Sequence, residues 1–223
     1  MIDFEAARIK MVDNQIRTTD VTSHSILNAF LTVPREVFVP SRLQPVAYID
    51  TDLEIAPAPP GGVGRYVMEP SPLAKLLQLA AITKEHVVLE VGCGTGYCSA
   101  ILSLLAGSVV ALESDAELAA QATSKLSELG YDNVAVVSGE LAKGYPAEAP
   151  YDVIFINGAV SIVPEDLLAQ LRDGGRLVAV VGTGNASLAK VFVREGGAYS
   201  ESAFFNTAVK PLPGFGKSEA FVF

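Results

Sequence analysis

The segment Val88-Leu89-Glu90-Val91-Gly92-Cys93-Gly94-Thr95-Gly96-Tyr97 constrains this chain more than any other. A short apolar run enters three alternating glycines and leaves into an apolar, helix-forming stretch. Glycine is needed there for two physical reasons. The turn demands backbone angles that side chains forbid, and a ligand lying directly on the main chain leaves no room for a Cβ. The spacing G-x-G-x-G departs from the dinucleotide pattern G-x-G-x-x-G, which wants glycine or alanine where Tyr97 stands.

The surroundings of this turn predict an α/β fold. Apolar runs at 87–91, 109–113, 134–137, 153–156 and 176–181 alternate with helical patterns at 97–106, 115–129 and 164–171, with Gly130 as a helix C-cap. Continuous apolar strands of this kind belong to a mostly parallel sheet covered by helices on both faces. The end of the chain reads differently. Segments 188–195 and 199–206 flank Gly196-Gly197 as a hairpin, and a Pro/Gly loop leads to a last strand at 219–223, so antiparallel strands finish the sheet. Before residue 80 the pattern is helical. Phe4, Ala7 and Met11 form one stripe of a helix running to Arg17. Asp20 and Thr22 offer caps to a second helix, and Pro34 and Pro40 bracket a short third. A Pro/Gly loop at 56–64 precedes a helix carrying Leu73, Leu76, Leu77 and Leu79. Two parts result: an N-terminal helical extension with its loop, 1–80, and a Rossmann-like core with a C-terminal hairpin, 81–223.

Composition narrows the class. Asp and Glu number 25 against 16 Lys and Arg, a net charge of −9, which argues against duplex nucleic acid as a partner. Half of the residues are apolar, enough for a real core. Cys93, Cys98, His24 and His86 suit neither a disulfide framework nor a metal cluster, so no metal is expected. His24 and His86 read as surface residues. The start lacks a secretory pattern. The most apolar stretch, 100–112, is interrupted by Ser103, Gly107 and Ser108 and is too short for a bilayer. A cytoplasmic protein without a membrane segment is the expectation.

The second strand ends in Glu113, where a carboxylate can accept both hydroxyls of a ribose. Glu90, just before the glycines, adds negative charge that repels a pyrophosphate and suits a ligand with a sulfonium and an ammonium group. S-adenosylmethionine has a ribose, both cations and no phosphate. A dinucleotide, or a purely structural turn, stays open as an alternative. Ser138-Gly139-Glu140 follows the third strand, where Glu140 flanks an adenine or caps the next turn. Asn157-Gly158-Ala159 follows the fourth strand, where Asn157 faces the reacting methyl or forms an ordinary turn. Cys93 and Cys98 read as small fillers. Cofactor contacts are thus expected from Glu90, Gly92, Cys93, Gly94, Gly96, Tyr97, Glu113, Ser114, Glu140 and Asn157.

Further pieces carry a family resemblance: Met11-Val12…Gln15-Ile16-Arg17, Val33-Pro34-Arg35-Glu36-Val37-Phe38-Val39-Pro40, Ala47-Tyr48-Ile49-Asp50, the glycine turn, Tyr151-Asp152-Val153-Ile154 and Gly174-Gly175-Arg176-Leu177-Val178. With them the chain resembles the protein-L-isoaspartate O-methyltransferase family over most of its length. The resemblance implies a class I methyltransferase fold, S-adenosylmethionine as donor, and methyl esterification of isoaspartyl carboxylates in damaged proteins and peptides. One departure stands out. The family has a T-I-S-Q-P loop whose serine lies near the reacting carboxylate. Here the matching stretch is Tyr66-Val67-Met68-Glu69-Pro70, with Met68 in place of the serine and Glu69 in place of the glutamine. Met68, Glu69 and Asn157 are therefore the expected acceptor-side residues. Arg65, Tyr66 and Ser71 are the side chains able to replace the lost donor, each also readable as a surface or helix-start residue. Two other readings stay open: a diverged paralogue with a small-molecule acceptor, and a non-catalytic protein that binds S-adenosylmethionine.

Overall fold

The computed structural model describes residues 2–215. The strand expected at 219–223 lies outside the described residues. Helix α1 (Phe4–Met11) starts at Asp3, whose carboxylate accepts the Ala6 N–H at 2.9 Å. It then continues as one π turn (Val12–Ile16) and one 3-10 turn (Arg17–Thr19), not as a single α-helix to Arg17. Changing the turn width turns Met11, Val12 and Ile16 all into the core. Helix α2 (His24–Thr32) is not capped by Asp20 or Thr22. Gln78, from a later helix, accepts the Thr22 and Ser23 N–H groups at 2.8 and 3.1 Å, a long-range cap that local sequence does not reveal.

Strands β1 (Leu53–Ala56) and β2 (Arg65–Val67) form an antiparallel hairpin that, among the described residues, pairs only with itself, and the Pro/Gly stretch is its loop. After helix α3 (Pro70–Ala80) come β3 (Val87–Val91), α4 (Tyr97–Leu105), β4 (Ser108–Glu113), α5 (Ala116–Glu128) and β5 (Val134–Ser138). Asp115 caps α5 by accepting the Glu117 and Leu118 N–H groups, and Gly130 ends it at φ +76°. The rest is β6 (Tyr151–Val160), the short α6 (Glu165–Ala169), β7 (Leu171–Val181), β8 (Leu188–Glu195) and β9 (Ala198–Asn206).

The seven-stranded sheet has the order β5-β4-β3-β6-β7-β8-β9. The five strands from β5 to β7 are parallel, and β8 and β9 are antiparallel. Gly196 and Gly197, both at positive φ, close the final hairpin as a tight primed turn. The chain leaves β3 toward β4 and β5, then returns to β6 on the other side, so a crevice opens between the carboxyl ends of β3 and β6.

Each buried strand feeds two apolar layers. Val88, Val153 and Phe155 face Phe30, Phe38 and Leu76 of the N-terminal part, while Leu89, Ile154 and Ile156 face Leu167 and Leu212. Strand β6 is longer than expected, because a bulge lies between Phe155 and Ala159. Asn157-Gly158 therefore sits within the strand rather than after it, and the bulge re-aims the Asn157 side chain at β3. Among the described residues, no helix is long and apolar enough to cross a membrane.

Candidate active site

The glycine turn stands at the head of the crevice. Gly92, Gly94 and Gly96 all take positive φ, at +86°, +59° and +96°. The N–H groups of Gly92 and Cys93 donate to the Leu112 carbonyl at 2.8 and 3.2 Å, which pins the turn to β4. The Thr95 hydroxyl donates to the Phe38 carbonyl at 2.5 Å, which pins it to the N-terminal part. The glycines differ in what they face. A Cβ at Gly92 would lie 2.8 Å from Leu212, and one at Gly94 2.8 Å from Ile55, both across the crevice. A Cβ at Gly96 would meet Leu126 of α5 at 3.2 Å, so Gly96 serves helix packing.

Glu113 ends β4 with no solvent exposure. Its carboxylate accepts the main-chain N–H groups of Gly94, Ser114 and Asp115 at 2.7, 2.8 and 3.0 Å. Two donors of Arg65 complete its shell, Nη1 to Oε1 and Nη2 to Oε2, the latter at 2.7 Å. Ser114, exposed overall, contributes both its main-chain N–H and its hydroxyl, the latter at 3.3 Å. Glu140 is exposed and pairs with Lys143 at 2.7 Å, outside the crevice.

Glu90 is fully buried and accepts from the Ser99 hydroxyl and, at 2.9 Å, from Asn157 Nδ2. Burial pushes its pKa up to about 7 against the pull of those hydrogen bonds. Its negative charge near neutrality is therefore partial, unlike the full charge expected from sequence. Burial first, then the neighbouring Glu90 carboxyl, pushes the Cys93 and Cys98 thiols upward, which keeps both protonated. The Tyr97 ring packs at 6.3 Å from Phe30 and 5.8 Å from Phe38, and its buried hydroxyl has no partner.

Two adjoining hollows lie beside the turn. One is lined by Asp52, Arg65, Tyr66, Met68, Asn157 and Lys210. The other is lined by Ile55, Tyr66, Met68, Cys93, Tyr97 and Asn157. The structure thus brings Met68 and Asn157 together with Tyr66, which lines both. Glu69 stands at the start of α3, its N–H donating to Asp52 at 3.1 Å. Burial first, then Asp52 and Asp50, push its carboxyl up to about 7. Ser71 is committed elsewhere, its N–H and hydroxyl both meeting the Asp50 carboxylate.

The remaining motif residues build the support. Arg35 is fully buried and donates to the Ala47 carbonyl at 2.8 Å and the Met68 carbonyl at 2.9 Å, with its guanidinium 4.8 Å from the Tyr97 ring centre. Tyr48 donates to Glu36 and accepts from Arg8 at 3.0 Å, while its carbonyl accepts from Gln15 at 3.0 Å. These polar pieces hold the segment carrying Met68 at a set distance from the glycine turn. Sequence reasoning missed Arg35 in this role, although its motif was visible. It also missed Ile55, on the short strand β1, and Lys210 and Leu212, whose loop carries no periodic signal.

The donor set fits a ligand with vicinal hydroxyls and no phosphate: a carboxylate at the end of β4, and bare main chain at Gly92 and Gly94.

The family described as Protein-L-isoaspartate(D-aspartate) O-methyltransferase (PCMT) matches residues 6–212 of this chain. The chain is 38% identical over 211 residues to the protein-L-isoaspartate O-methyltransferase of Koribacter versatilis, covering 95% of this chain and 92% of that protein. It is 35% identical over 213 residues to that of Herpetosiphon aurantiacus, covering 96% and 92%. A solved protein-L-isoaspartate O-methyltransferase superposes with a TM-score of 0.80 at 28% identity, over 94% of this chain and 67% of that one. A Plasmodium falciparum structure in complex with S-adenosyl-L-homocysteine has the same fold, with a TM-score of 0.78 at 17% identity over 96% of this chain and all of that one.

Proposed function

Since the chain belongs to the protein-L-isoaspartate O-methyltransferase family, we propose that it transfers a methyl group from S-adenosylmethionine to isoaspartyl carboxylates of proteins and peptides, as a repair step in the cytoplasm. The observation that carries this reading is the buried Glu113 carboxylate, which accepts the Gly94 N–H and is joined through Arg65 to the hollow of Asn157 and Lys210.

In this reading the core from residue 81 onward forms the donor side and the segment before it most of the acceptor side. Glu113 accepts the ribose hydroxyls, Gly92 and Gly94 offer bare main chain, and Glu90 with Asn157 faces the cationic end. When bound, the donor supplies a methyl group on a positively charged sulfur. The acceptor carboxylate is ionised near pH 7, since its ordinary pKa is about 3.9, so no general base is needed. What the chain contributes is alignment and exclusion of water. Lys210 supplies a cation to the acceptor anion, and Asn157 bridges that hollow to Glu90. Glu69, at the family's glutamine position, donates a hydrogen bond to the acceptor when protonated.

The test pairs an isoaspartyl peptide with its aspartyl twin and methyl-labelled donor. Base-labile methyl ester on the isoaspartyl peptide alone is the expected result. No ester on either, with donor binding intact, rejects the acceptor. One observation favours a second reading, a smaller and less charged acceptor: the side chain of Met68 lines both hollows at the serine position. Methyl transfer to a small neutral metabolite, with none to the peptide, is its signature.

A further inference from the structure

The carboxylate that should receive the ribose is already saturated by the chain itself. A carboxylate has about four lone-pair sites. Glu113 meets six donors: three main-chain N–H groups, the Ser114 hydroxyl and two from Arg65. The three N–H groups belong to the glycine turn and the β4–α5 junction, which are fixed by the sheet. Arg65 belongs to the β1–β2 hairpin, which joins no other strand among the described residues. A two-stranded hairpin is marginal on its own, so it is the partner able to leave. The same hairpin lays Ile55 over Gly94, and Arg65 Nη2 would lie 3.5 Å from a Cβ on Gly92. Hairpin and guanidinium together cover the main chain to which the donor needs access. Arg65 also lines the hollow of Lys210 and Asn157, so leaving Glu113 takes it toward the acceptor side rather than away from the site.

We infer that Arg65 is a positioning residue exchanged between the two substrates: it holds Glu113 until the ribose hydroxyls of the donor displace it, and it then pairs with the acceptor carboxylate. Binding is ordered, donor before acceptor. This rests on the donor and acceptor assigned above. The exchange keeps both charges partnered: Glu113 passes from a guanidinium to two hydroxyls, and Arg65 from one carboxylate to another. Donor binding pays the cost of opening the pair, so the apparent affinity of the resting protein is below that of the open one.

Calorimetry with S-adenosylhomocysteine tests the first half. Arg65→Ala and Arg65→Gln, each shown folded by a cooperative melt, should bind about tenfold more tightly than the parent protein, as removal of a competing ion pair requires. Equal or weaker binding in both folded variants overturns the inference. A measurement on the parent protein stands beside it. The slowly exchanging guanidinium N–H signals of Arg65, assigned by their absence from Arg65→Lys, should vanish when S-adenosylhomocysteine saturates the protein; their persistence overturns it. For the second half, the KM for an isoaspartyl peptide should rise at least about tenfold in Arg65→Gln at saturating donor, with kcat changed far less. An unchanged KM overturns that half. The binding results do not depend on the acceptor. Tighter binding with no peptide methylation keeps the exchange at Glu113 and rejects the isoaspartyl reading, and methylation without tighter binding does the reverse.

Discussion

Arg65 and Glu113, 48 residues apart in the chain, meet as a buried two-pronged pair in which each carboxylate oxygen takes one guanidinium nitrogen. The two sides of this pair are not equivalent. Arg65 leaves behind a carboxylate that three N–H groups still serve, whereas Glu113 leaves behind a cation and three unserved N–H groups. Glu113→Ala should therefore cost about 3–5 kcal/mol of stability and Arg65→Ala about 1–2 kcal/mol. Denaturant unfolding of the two variants measures the gap, and the opposite order would contradict the geometry.

With Glu69 on the acceptor side, as proposed above, the reaction should depend on pH. Its carboxyl is neutral below about 7 and charged above it. A neutral carboxyl donates to an anionic acceptor, and a charged one repels it. With an isoaspartyl peptide, kcat/KM should fall about tenfold as pH rises from about 6 to 8, roughly 1.4 kcal/mol of like-charge repulsion. Glu69→Gln should flatten that fall. A profile with the same slope in both proteins removes Glu69 from the acceptor side.

Arg35 ties the acceptor segment down through two carbonyls. Arg35→Met leaves both carbonyls buried and unserved, and should cost about 2–4 kcal/mol. Arg35→Lys keeps the charge but cannot fork to both carbonyls, so it should recover only part of the loss. In both, the segment carrying Met68 loosens, so the acceptor KM should rise more than the donor KM. Thermal melts and steady-state kinetics of the two variants report on these separately.

Glu90 ties stability to pH. Its carboxyl titrates near 7 in the fold, against an ordinary value of 4.5. Between those values the folded chain holds a proton that the unfolded chain has lost, so the contribution of Glu90 to stability declines as pH rises through this interval. Glu90→Gln lacks that titration. Relative to the parent protein, it should gain roughly 1–3 kcal/mol between about pH 4.5 and 8. A stability difference that stays constant over this range would show that Glu90 titrates normally.

Much of this could be read in advance, and the reasons are local. Strands β3 to β7 announced themselves as continuous apolar runs, the mark of a parallel sheet, although β5 at its edge is only partly buried. The glycine turn did so because its positive φ angles and close approaches exclude side chains. The Gly196-Gly197 hairpin and the Gly130 cap of α5 followed from equally short-range rules. The β1–β2 hairpin was invisible, since its strands are four and three residues long and flank a Pro/Gly loop. The bulge in β6 was hidden too, because Asn-Gly reads as a turn until its pairing is known.

The order of residues alone determined the class of fold, the glycine turn and the acid at the end of β4, because each depends on backbone geometry over a few neighbours. Only the folded chain decided what those groups meet. Arg65 on Glu113, Arg35 under Met68, Asn157 on Glu90 and Leu212 over Gly92 join residues far apart in sequence. Such contacts, and the burial that lifts the Glu90 and Glu69 carboxyls, arise when separate elements pack, and no local pattern encodes them.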